Sequence, residues 1–190
     1  LSQRTDLLAL GDGWIGSLNA EDFQPIEADD LLLRLNKEAR SLLIGFEKDW
    51  DGKALPLLSS PWVMIFRNGT PWLERAKVSW DVLLDPELKG EIIFPNSARL
   101  LMSIADTLNE ESVIKRLRLQ ARTFDDRHAL NWLLAGKAKV AVLPLSRCIR
   151  SLIRDPRLDI ALPSIGAPLN WSLLLRPKSS VRSFPENWVQ

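Results

Sequence analysis

From Val140 to Leu145 every side chain is apolar (VAVLPL). A strand with no polar face must be covered on both sides, which restricts the chain to folds that lay helices on both faces of a sheet. The residues before it agree. DDRHALNWLLAG, Asp125 to Gly136, reads as a helix capped by Asp125 or Asp126 and stopped at Gly136.

Similar alternation runs along most of the chain. Asp6–Gly11 (DLLALG) reads as a buried strand leading into Asp12-Gly13-Trp14. Leu31, Leu32, Leu35, Ala39, Leu42, Leu43 and Phe46 share helical spacing, so one amphipathic helix with Asp29 or Asp30 as cap is predicted next. Pro61–Arg67 is a second strand, closed by the turn pair Asn68-Gly69. After short helices and the strand GEIIFP, two helices follow in SARLLMSIADTL and EESVIKRLRLQARTF. RCIRSLIRD is a further helix, LDIALPSIG and NWSLLLRP are late strands, and the tail SFPENWVQ has no regular pattern. Strands alternating with helices predict an α/β fold with mainly parallel sheets. Ligands of such sheets collect where strands end and helices begin. That directs attention to the Gly11-Asp12-Gly13-Trp14, Pro95-Asn96-Ser97 and Pro144-Leu145-Ser146 junctions.

Composition excludes several functions. With 25 Lys and Arg against 24 Asp and Glu, and no long basic run, the chain lacks the charge pattern of a nucleic-acid or membrane-surface binder. No apolar run approaches the roughly 18 residues of a membrane-spanning helix. LSQRTDLLALGDGW shows neither a signal-peptide core nor an initiator Met, so a trimmed product or a fragment is expected. The single Cys148 cannot form an internal disulfide, and with the single His128 it cannot build a Cys/His zinc site. GxSxG and GxxxxGK[ST] are absent, and GDGWIG matches a dinucleotide fingerprint in its Gly spacing only, with no acidic partner where a βαβ unit would place one. No catalytic constellation and no cofactor motif emerges.

Binding residues are easier to place. Tyr is absent, but the 8 Trp residues offer indole faces. Asp12, Trp14, Trp62, Asp125, Asp126 and Trp171 suit a cationic ligand, through carboxylates and cation–π attraction. Asn96, Ser97 and Arg99 suit an anionic one, through a helix start and a guanidinium. Ser146 stands at the third junction. Each has a structural alternative: Ser97, Asp125 and Asp126 as helix caps, Arg99 and His128 as solvated helix residues, and Trp80 and Trp132 as core.

The order of GDGW, SPWVMIFRNG, SWDVLLDPELKGEIIFPNS, LNWLLAGKAKVAVLPLS and GAPLNWSLLLRP resembles the bacterial extracellular solute-binding proteins of the spermidine/putrescine-binding type. SWDVLLDPELKGEI is the most specific of these pieces. The resemblance implies a two-lobe, type II periplasmic-binding-protein-like α/β fold with two hinge-crossing strands, a small-molecule solute held in a cleft, an ABC permease as partner, and export to the periplasm. Lobe 1 would be 1–65 plus 164–190, and lobe 2 would be 66–163. Ligand contacts would come from Asp12, Trp14, Trp62, Asn96, Ser97, Arg99, Ser146 and Trp171. Relative to the family, an N-terminal piece of lobe 1 is expected to be missing. The acids that surround the helix start after the KG strand are replaced by Asn96 to Leu100, where Arg99 opposes a polycation. A second architecture-sharing class is the effector-binding domain of a transcriptional regulator, which an upstream helix-turn-helix would reveal.

Overall fold

A computed structural model describes residues 5–108 and 112–185. The chain forms two compact units, one made of residues up to Ser59 together with those from Trp171 on, the other of Ser60–Asn170. The crossings thus fall six and seven residues from the positions expected from sequence. Two strands carry them, β3 (Ala54–Arg67) and β8 (Leu169–Pro177).

The Ser60–Asn170 unit explains the apolar run. Its strands are the second half of β3, β4 (Ile92–Ile93), β5 (Ala121–Thr123), β6 (Val140–Pro144) and β7 (Leu158–Ala161), in the order β7-β3-β6-β4-β5. All five residues of β6 are buried. Along β3 the side chains alternate. Trp62, Met64 and Phe66 join Val140, Val142, Ile92 and Phe94 in one core, while Val63 and Ile65 join Ala141, Leu143 and Ile93 in another. This two-residue period is the pleat of a strand. Helices α3 (Leu73–Ala76), α4 (Ala98–Leu108) and α5 (Val113–Gln120) supply Ala76, Leu100, Leu101, Ile104, Val113 and Leu117 to the first core. Helices α6 (Ala129–Leu134) and α7 (Leu145–Arg154) supply Ala129, Leu133 and Cys148 to the second.

In the other unit β1 (Leu8–Gly11) and β2 (Phe23–Gln24) pair antiparallel with β8. Leu173 and Leu175 pack with Phe23, Trp50 and Ala54; the intervening Leu174 packs with Ile26, Leu55 and Phe184.

Several expectations need correction. The sheets are mixed: β4 runs parallel to β5 and β6, but β3 runs antiparallel to β6 and β7, and β8 to β1 and β2. The single helix expected from Asp29 to Phe46 is two, α1 (Asp29–Leu33) and α2 (Lys37–Ile44). The break comes from Asn36, whose side-chain oxygen accepts the Ala39 N–H at 2.9 Å and so starts a new helix. Neither Asp29 nor Asp30 caps α1; Ala28 occupies that position with no side-chain hydrogen bond. ARTF is not helical throughout, because Ala121–Thr123 pair with β4 as β5. Expected structure at residues 109–111 and 186–190 lies outside the described residues. No helix among the described residues is long and apolar enough to cross a membrane.

Candidate ligand-binding edge

Because β4, β5 and β6 are parallel, their carboxyl ends share one edge of the Ser60–Asn170 unit, and the loops there lead into α4, α6 and α7. Antiparallel β3 enters at the same edge, with Trp62 opposite Pro144. Two contacts tie the strand ends together. Phe94 donates its N–H to Thr123 O at 3.1 Å, and the Phe94 and Phe124 rings stack with centroids 6.0 Å apart.

At the start of α4, Ser97 is half-buried and its hydroxyl oxygen accepts the Leu100 N–H at 3.2 Å, so it is the helix cap. Asn96 and Arg99 flank it, both exposed, and Arg99 is engaged in an interaction of its own. At the start of α7, Ser146 is exposed and its N–H donates to the hydroxyl of Ser60 at 2.9 Å. Ser60 therefore caps from a different strand, and no local spacing marks it.

Between them, after β5, come the two acids expected to cap a helix. They do not cap α6, whose N-terminal neighbour is the exposed His128 with no side-chain cap bond. Asp125 is chelated by Arg127. The Arg127 N–H and Nε reach Asp125 Oδ1 at 3.1 and 2.9 Å, and Nη2 closes on Oδ2. Those hydrogen bonds, the side-chain ones first, hold the Asp125 carboxyl down at about 2. Asp126, with a side chain only 14% exposed, accepts from Arg147 Nη1 at 2.5 Å, which joins the loop after β5 to the first turn of α7. The DDR triplet makes the first pair legible; a partner 21 residues away makes the second illegible.

Trp62 lies at this edge with only 8% of its surface exposed, its side chain in the first core and its backbone N–H donating to Pro168 O at 3.0 Å. The remaining candidates belong to the other unit. Asp12, half-buried and engaged in an interaction, and Trp14, 64% exposed, sit in the helical turn that follows β1. Trp171 is buried beside that junction, since Gly11 pairs with Ser172. Among the described residues no group of three or more His, Cys, Asp or Glu is placed to hold a metal ion.

The fold that positions this edge is that of the type II periplasmic binding proteins. Solved structures carry that conclusion. A putative spermidine/putrescine ABC transporter from Listeria monocytogenes matches 97% of this chain with a TM-score of 0.61 at 18% identity. The apo ferric ion-binding protein A of Pasteurella haemolytica matches 94% of this chain with a TM-score of 0.67 at 15% identity. A structure described as a two-component system protein that mediates signal transduction matches 98% with a TM-score of 0.72 at 17% identity. In these matches the chain covers 60%, 60% and 62% of the other protein's length. No protein-family model matches the chain, and no curated protein does.

Proposed function

We propose that this chain is the substrate-binding component of an ABC importer, or part of one, and captures a small polar solute. The likeness along nearly the whole chain to a putative spermidine/putrescine ABC transporter is the observation that carries this reading. The strand-end edge supports it, because the helix starts there carry hydroxyls and a guanidinium (Ser97, Ser146, Arg99) that suit a polar solute. On this reading the protein is not an enzyme. It works outside the cytoplasmic membrane, in the periplasm, and delivers its solute to a permease rather than to nucleic acid. Asp12, Trp14, Trp62, Asn96, Ser97, Arg99, Ser146 and Trp171 remain its proposed ligand residues.

The test is a thermal-unfolding screen of the chain against polyamines, amino acids, sugars and small carboxylates. A solute at a hundred times its dissociation constant stabilises the native state by about 2.7 kcal/mol. One stabilising class supports the receptor reading; no response to any solute of the panel removes it. Ser97→Leu should then weaken binding of the solute found, and unchanged affinity would remove Ser97 from the site.

A further inference from the structure

We infer that the strand-end edge of the Ser60–Asn170 unit discriminates against polycations, so that the solute it takes carries no net positive charge. This rests on the solute-binding reading and adds the substrate class. The two carboxylates that follow β5 are the groups with which this edge would hold an ammonium. Both are committed to guanidinium partners from the same unit, Asp125 to Arg127 and Asp126 to Arg147.

Arg127 is two residues from its carboxylate and closes on it with a backbone N–H as well as the guanidinium. An incoming ammonium must displace a cation that is already tethered, and tethering keeps the competitor at high effective concentration. Arg147 presents the same obstacle at Asp126, where low exposure makes loss of a partner costly. Exchange of one cation for another brings no Coulomb gain. A di- or trication therefore meets carboxylates that are already neutralised, whereas a neutral or anionic solute does not have to break either pair.

Spermidine binding to the 190-residue chain, measured by calorimetry at low salt, tests this against Arg127→Gln, Arg127→Gln/Arg147→Gln, and the double variant with Asp125→Asn and Asp126→Asn added. The expected result is no saturable binding to the natural sequence, and a gain of at least ~10-fold in affinity when the carboxylates are released. The gain should disappear when the carboxylates are neutralised. Arg127 is 78% exposed, so Arg127→Gln alone gives a folded variant in which a smaller gain is read if the double variant melts early. Saturable spermidine binding by the natural chain would overturn the inference while upholding the receptor reading. If the released variants gain nothing, although a non-cationic solute stabilises the natural chain in the thermal screen, the inference falls and the receptor reading stands.

Discussion

Ser97 shows how far a single residue can be read before its fold is known. A Ser after Pro-Asn and before an apolar helical pattern is a cap by local chemistry alone, and its hydroxyl does hold the Leu100 N–H. Ser97→Ala should therefore cost about 1 kcal/mol in urea unfolding, whatever its part in binding. Asp125 and Asp126 carry an equally good local signal, yet arginines took both carboxylates, one close in sequence and one remote. Asp155 repeats the close arrangement. Arg157 chelates it through Nε at 2.9 Å and Nη2 at 2.7 Å, and the carboxyl is held at about 2. An unfolded chain titrates near ~3.9. The folded value is the lower, so Asp155 adds stability that is complete above about pH 4 and is lost as pH falls through about 2. Asp155→Asn should lower the urea midpoint at neutral pH, with the gap to the natural chain closing in strong acid; a gap independent of pH would contradict this.

Element by element, starts and stops with a backbone cause were legible, and those decided by partners were not. Gly136 ends α6 with φ of 68°, in the left-handed region where a Cβ is strained, and the sequence placed the stop there. The nearest atom to a Cβ at this position would be Arg67 Nη1 at 3.5 Å, an ordinary contact. Gly136→Ala should thus cost about 1–2 kcal/mol through backbone strain alone, read as a lowered denaturation midpoint. A neutral outcome would mean that the turn rearranges. By contrast, the helical spacing from Leu31 to Phe46 continues through the break at Asn36, because apolar periodicity does not report which phase of the pattern a cap will interrupt. β5 was hidden for a related reason. Its three residues follow α5 directly, and only pairing with Ile92 and Ile93 defines them as strand. Of the edge where β4, β5 and β6 end, the junctions after β4 and β6 were found from sequence, but the end of β5 and the ion pairs beside it needed the fold.

At the scale of the whole molecule, the legible feature was layering. A strand apolar throughout required cover on two faces, and β6 has it, with Val140 and Val142 in one core and Ala141 and Leu143 in the other. The antiparallel direction of β3 was not legible, since pleat and apolarity are the same for either direction. Among the described residues each of the four apolar cores lies wholly inside one unit, two in Ser60–Asn170 and two in the unit containing Trp50, Leu173 and Leu175. That division makes a test with a spatial readout possible. Trp80 is fully buried in the first core, and its Nε1 donates to Gly166 O at 3.0 Å. Trp80→Ala removes the largest of the fully buried side chains and its hydrogen bond, which should cost about 3–5 kcal/mol. Hydrogen exchange should show the loss first in amides of β4 and β6, with protection at Leu173 and Leu175 retained, because those residues belong to a different core. Equal loss of protection in both units would show instead that the chain unfolds as one cooperative body, in which the separation of cores has no energetic counterpart.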